Sequence, residues 1–408
     1  MQFSFFGVLW NAILGYCFLF KNGKTMAYMA IISMLFQCNN ILYIGTTGIG
    51  TQIFTVCIAS VKLLLVKKDP RKVYGTEPLN VSFIMMLGVI IIGLIYNHSL
   101  DGKHMIAISM LAVYILFGII LVKKQIVFTQ AELEKMINTV AYVIIIVGVL
   151  QVLCKMNILP ITALLRSFIY NDTGNSNVIF NHKSITAMYS TFMEPSYCGA
   201  TLTGLLACVI SRKEFTRKNL ALVALLGISI LMTRSSTAYA GTAIMLCVLL
   251  FTKADKKIYK YVMPLIIVAV MFIAIFNMDL LNEVLFEKMN TGSFRVRENW
   301  NKMALEKFFQ SPVLGVGYQN QRASSLLYTI LGELGIIGAF AYTMMMIASL
   351  KFLLQKKYKG IVSTTSFMCF GIALSQWIAC PDLSFSPMWM SFYFLILSLK
   401  RDKCAVGD

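Results

Sequence analysis

The chain has 408 residues, of which 58% are hydrophobic and 13% charged, against about 25% charged in an ordinary soluble domain. That balance excludes a water-soluble fold, because the apolar residues run in unbroken stretches that approach or exceed the roughly 20 residues a helix needs to cross a bilayer. The formal net charge of +18 does not point to nucleic acid, since the lysines and arginines gather in short connections between the apolar runs.

The pattern predicts an all-α, polytopic transmembrane bundle of about 12–13 spans, forming one integral membrane domain over 1–408. The first six are placed at 3–20, 26–45, 52–66, 79–97, 105–122 and 136–153. Lys21 and Lys24 follow the first run instead of preceding it, so that run reads as a span and not as a cleavable signal. The remaining spans are placed at 196–211, 220–233, 236–252, 261–277, 326–350, 361–380 and 386–399. Alternate connections carry basic clusters, among them Lys67/Lys68, Lys123/Lys124, Arg212/Lys213 and the tail with Lys400 and Arg401. Positive loops stay in the cytoplasm, which sets the orientation. The opposite side then carries two long loops, 155–195 and 278–325. The second contains an amphipathic helix, with Val296, Trp300, Met303, Ala304 and Phe308 near helical spacing. Ten cysteines without a CxxC pair suggest neither a disulfide framework nor a zinc site. No cluster of acidic residues on the long-loop side suggests a metal, and no cofactor is expected.

Arg234 interrupts the long apolar stretch 220–252 inside Thr233-Arg-Ser-Ser-Thr237. It reads either as an arginine snorkelling to headgroups or as part of an anion site, for which its planar fork of donors is suited. Arg295, Arg297 and Arg322 stand in the second loop, where the cytoplasmic-charge rule does not explain them. They form either a solvated face or a lipid-phosphate site. Glu194, followed by Pro195, is placed to cap a helix or to serve as a general base. His182 on the same loop is a rival base. Glu333 is a second carboxylate and a further candidate base, inside a span where charges usually face the bundle interior. Tyr197, Trp300 and Tyr318 offer aromatic faces to sugars or anchor the interface.

The stretches Phe294-Arg-Val-Arg-Glu-Asn-Trp300, Ser311-Pro-Val-Leu-Gly-Val-Gly317 and Leu331-Gly-Glu-Leu-Gly-Ile-Ile-Gly338 together resemble the C-terminal signature of the O-antigen polymerase and ligase family. Phe192-Met-Glu-Pro-Ser196 and Thr233-Arg-Ser-Ser-Thr237 resemble segments of its polysaccharide polymerase branch. The resemblance implies a bundle similar to type C glycosyltransferases in the bacterial cytoplasmic membrane, with its active site facing the periplasm or exterior. The implied substrates are undecaprenyl-pyrophosphate-linked oligosaccharides as donor and acceptor, with a flippase and a chain-length regulator as further partners. It also places an asparagine after the glycine turn, here Asn320. The ligase branch is expected to use a histidine in the second loop; this chain has none after His182, which favours a polymerase over a ligase. A transporter of lipid-linked sugars is the alternative from another class, for which charges near mid-membrane on several spans would be expected.

Overall fold

The computed structural model describes residues 2–44, 47–69, 76–98, 102–171, 177, 179–180, 186–213, 216–253, 292–354 and 360–402. Fourteen helices make up 76% of it. In chain order they are α1 (Phe5–Phe20), α2 (Gly23–Ser33), α3 (Thr51–Leu64), α4 (Thr76–Tyr96), α5 (Gly102–Lys123), α6 (Gln130–Lys155) and α7 (Thr162–Phe168). There follow α8 (Pro195–Ile210), α9 (Arg217–Met232), α10 (Ser236–Lys253), α11 (Gly292–Gln310), α12 (Leu326–Leu354), α13 (Ile361–Ala379) and α14 (Ser386–Asp402). Among the described residues five helices are long and apolar enough to cross a membrane, and the chain is a multi-pass helical membrane protein.

The helices form where the sequence caps them. Ser4, Asn22 and Thr216 accept backbone N–H bonds at the starts of α1, α2 and α9. Thr129 and Glu132 make a reciprocal capping box at α6. Helices α8, α13 and α14 occupy the centre, with nearly every residue buried. Helices α8 and α13 make the most extensive pairing. Their backbones meet at Gly204 and Gly371: a Cβ on Gly371 would sit 2.9 Å from the Gly204 Cα. Small residues permit this approach, which supplies the dispersion contact that holds helices together when lipid removes the hydrophobic driving force. Interhelical hydroxyl pairs add to it, Thr203 with Thr242 at 2.8 Å and Thr365 with Ser398 at 3.0 Å. Around this centre α1, α4 and α12 expose Phe5, Leu19, Ile92, Ile95, Ile337 and Phe340. Apolar side chains exposed in such number fit a lipid-facing belt and no aqueous surface.

Two expectations change. The span expected over 26–45 is helical only as far as Ser33, and the chain then turns into a strand, Asn40–Ile44. This strand is the middle of a small antiparallel sheet whose edges are Gln2–Phe3 and Thr47–Gly50. The cause is polar pairing: the Asn39 amide donates to the Phe168 carbonyl at 2.6 Å, and Thr51 Oγ1 donates to Asn39 Oδ1 at 2.5 Å. The Asn40 N–H donates to the Asn171 side chain at 2.6 Å. These bonds pair the Asn39 side-chain amide, which a helix continued through the bilayer would carry into lipid without a partner. The span expected over 326–350 is present as α12, but broken at Gly335. The expected span 261–277 and His182 lie outside the described residues.

Candidate functional site

The break in α12 builds the site. Gly335 sits at φ +62°, ψ −161°, a conformation essentially reserved to glycine. It frees backbone groups on both sides, and the 312–317 turn fills them. The Val316 and Gly317 N–H groups donate to the carbonyls of Gly332 and Glu333 at 3.0 and 2.9 Å. The Ile336 and Ile337 N–H groups donate to the carbonyls of Pro312 and Val313 at 2.8 and 3.3 Å. At Gly315, φ +68°, an added Cβ would lie 2.3 Å from the Glu333 carbonyl carbon. The two glycine motifs are therefore halves of one backbone clasp.

The clasp presents the segment 318–325. The Glu333 carboxylate is buried and receives backbone hydrogen bonds from Gln319 and Gln321. Asn320 is exposed and turns back on the loop, its amide donating to the Val316 carbonyl at 2.7 Å. Tyr318 is buried, and burial pushes its hydroxyl up from the usual phenol range. Arg322 points outward from this base. Its Nη2 lies 3.8 Å from Glu194 Oε1, and its guanidinium lies 5.1 Å from the centre of the Trp300 ring. That distance is within cation–π range.

Helix α11 is held to the same loop by Asn301, whose Oδ1 accepts from the Ser324 N–H and hydroxyl at 2.9 and 3.1 Å. Its helical period divides the basic residues. Arg297 falls on the face of Trp300, Asn301 and buried Ala304, and its charge acts on the Cys380 thiol. Arg295 falls on the opposite face with Glu298, Asn299 and Lys302, lining an open groove of about 430 Å³. Lys302 pairs there with Glu298 at 2.9 Å.

Glu194 precedes α8 at the N-cap position, yet its side chain makes no cap hydrogen bond. Oε2 instead accepts from the Ser196 hydroxyl at 3.0 Å while Oε1 faces Arg322. Tyr197 packs on Phe385, with ring centres 4.9 Å apart. Arg234 is exposed in the tight turn between α9 and α10 at φ +50°. Its charge acts on Tyr239, and it makes no ion pair among the described residues. The structure thus gathers Glu194, Trp300, Arg322 and Arg297 at one end of the bundle, sets Glu333 and Tyr318 beneath them, turns Arg295 to the other face of α11, and places the turn that bears Arg234 against the start of α8 at Gly199.

Sequence reasoning misses Asp382. It lies in the short connection between α13 and α14, partly buried. Its Oδ1 accepts from the Ser384 N–H at 2.8 Å and hydroxyl at 2.7 Å, and its carbonyl accepts from the Gln376 amide at 2.9 Å. Desolvation raises its carboxyl above the usual range, assisted by the charge of Glu194 and opposed by the Ser384 bonds and Arg322. The only hint in sequence is an acid after a proline in a connection that otherwise needs no charge. Among the described residues, no group of three His, Cys, Asp or Glu side chains is placed to hold a metal.

This is a multi-pass membrane protein with a cationic, carboxylate-bearing and aromatic site at one end of its helices. Residues 221–343 match the family model described as O-antigen ligase. The matched stretch carries Arg234, α11, the glycine clasp, Arg322 and Glu333, and supports a member of the O-antigen polymerase and ligase family. Glu194 and Asp382 lie outside it. No curated protein matches the chain.

Proposed function

We propose that the protein polymerises undecaprenyl-pyrophosphate-linked oligosaccharide repeat units into a surface polysaccharide, O-antigen or capsule. The reaction takes place on the outer face of the bacterial cytoplasmic membrane. The observation that carries this reading is Arg322, held between Glu194 and Trp300 with Arg297 on the same side of α11. Cations, a carboxylate and an aromatic face are what transfer of a sugar from a lipid pyrophosphate requires. Nucleotide sugars are absent outside the cell, so the donor brings its own leaving group. Arg322 and Arg297 bind the pyrophosphate and stabilise the charge that grows on it as the glycosidic bond breaks. Arg234 and Arg295 extend the basic surface toward headgroups. Trp300 and Tyr197 offer faces to the sugars, with Tyr318 and Asn320 shaping the loop. A carboxylate near Arg322 takes the proton of the attacking hydroxyl, and direct attack inverts the anomeric centre. Positive charge from arginine takes the place of a metal ion in this scheme.

The missing late histidine favours a polymerase. The family description favours a ligase as the second reading, with the same donor chemistry and another acceptor. The test is reconstitution: purified protein in nanodiscs with lipid-linked repeat units from its host, without added metal. A ladder spaced by one repeat unit, persisting in EDTA, is the expected result. An unchanged substrate with folded protein would overturn the polymerase reading, and transfer to a different acceptor would establish the ligase.

A further inference from the structure

Three carboxylates lie about the loop that carries Arg322, and their oxygens are not equally engaged. Glu194 is the counter-ion of the arginine, with Oε1 3.8 Å from Arg322 and Oε2 accepting from the Ser196 hydroxyl. Glu333 is buried within α12 and committed to the backbone of Gln319 and Gln321, where it positions the loop that bears Arg322. Asp382 receives both of its donors, from Ser384, on Oδ1. Its Oδ2 has no hydrogen-bond partner among the described residues. Asp382 is also partly accessible, and its connection meets the site on both sides. Tyr197, three residues after Glu194, packs on Phe385 with ring centres 4.9 Å apart, and the Ser325 hydroxyl, on the loop of Arg322, donates to the Trp377 carbonyl at 2.7 Å. The charges of Arg322 and Glu194 act on Asp382 there.

We propose that Asp382 is the proton acceptor of the glycosyl transfer, receiving the proton of the acceptor sugar's attacking hydroxyl on Oδ2. The inference rests on the function proposed above. The hydroxyl oxygen forms its bond to the anomeric carbon, and the bond from that carbon to the pyrophosphate oxygen breaks. The electron pair leaves with the lipid pyrophosphate, whose new charge faces Arg322. The proton passes to Asp382 and then to solvent. The surroundings suit this role. Besides Arg322 and Glu194, the titratable groups that sense Asp382 are Tyr114 on α5, Tyr197 on α8, Tyr318 and Glu333 at the clasp, and Cys380. Burial among them raises the Asp382 carboxyl, and a base tuned upward toward the working pH is more effective than an ordinary carboxylate.

The experiment is the pH dependence of ladder extension by the full-length protein in nanodiscs, with equilibrium binding of the lipid-linked donor measured in parallel. In wild type, the rate falls at low pH as Asp382 takes a proton. Asp382→Asn is expected to lower turnover by roughly 10²–10⁴-fold, to lose that acidic limb and to keep donor affinity. Ser384→Ala removes one donor to the charged form, so the limb moves to higher pH. A normal rate in Asp382→Asn, an acidic limb that persists in it, or a rate lost only in proportion to donor binding overturns the assignment. If Asp382→Asn does not fold, Ser384→Ala decides, and an unmoved limb overturns it. A wild-type protein that makes no ladder fails the functional reading and takes this inference with it, whereas an active wild type with an inert Asp382 fails the inference alone.

Discussion

The two ends of the bundle each hold an ion pair, built in opposite ways. At one end Lys400 of α14 meets Asp69 at 3.6 Å, with side-chain exposures of 0% and 1%. The ammonium also donates to the carbonyls of Leu121, at 2.9 Å, and Lys124. Backbone bonds from Asp69 N–H to the Lys123 carbonyl and from Gln125 N–H to the Lys67 carbonyl join the same two connections. At the other end Arg322 meets Glu194 at 3.8 Å, with exposures of 64% and 47%. A buried charge left without its partner costs about 3–5 kcal/mol, whereas an exposed pair contributes about 0–1 kcal/mol. The first pair holds helices together. The second contributes little to the fold and is free to exchange its partner for an incoming anion.

That contrast orders the expected effects. The largest on stability is Lys400→Ala, which removes the ammonium from beside the buried Asp69 carboxylate. Thermal unfolding in detergent should show a loss of about 3–5 kcal/mol, and the double change Lys400→Met with Asp69→Leu should recover part of it. A single variant as stable as wild type would break the comparison. Next is Gly335→Ala. The glycine-only backbone conformation costs about 1–3 kcal/mol for another residue, and the new Cβ would lie 2.4 Å from the Val313 carbonyl oxygen. Reduced stability together with loss of ladder is expected, since the clasp that presents Arg322 opens; a stable and active variant would refute the clasp. Smaller is Arg297→Lys, which keeps the charge and loses the bidentate fork. A reduced rate at unchanged stability is expected, and an unchanged rate would reduce Arg297 to a point charge. Smallest is Arg295→Ala, because that side chain lies on the far face of α11. Its effect on rate should be less than that of Arg297→Ala in the same assay, and the reverse order would place the substrate in the outer groove.

The bundle was legible because lipid imposes long apolar runs, and α4, α5, α6, α12 and α13 answer to runs read directly from hydropathy. What hydropathy misses is backbone. Gly335 breaks α12 without interrupting its apolar character, so no hydropathy window registers it, and Asn39 and Asn40 end α2 by bonds to residues far along the chain. Charge reading has the same limit. Lys400 belongs to a basic cluster that reads as a solvated tail, and only the fold supplies Asp69 as its partner. Arg297 and Arg322 were legible as charges that the cytoplasmic-loop rule leaves over, and Glu194 as a carboxylate ahead of a helix-starting proline, but their sorting was not. The pairing of Glu194 with Arg322 and the separation of Arg295 from Arg297 depend on which face of which helix meets which loop. Asp382 belongs to no motif or spacing, and what marks it is burial beside other charges.

The Arg322 pair is expected to serve the substrate and not the fold. The most direct measurement is the rate of ladder extension by Arg322→Ala, normalised to folded protein, alongside its melting temperature. The expected result is a loss of roughly 10²–10³-fold in turnover, the scale of removing one charge-stabilising donor, with the melting temperature close to wild type. A wild-type ladder from Arg322→Ala, or a loss explained by unfolding, would contradict it.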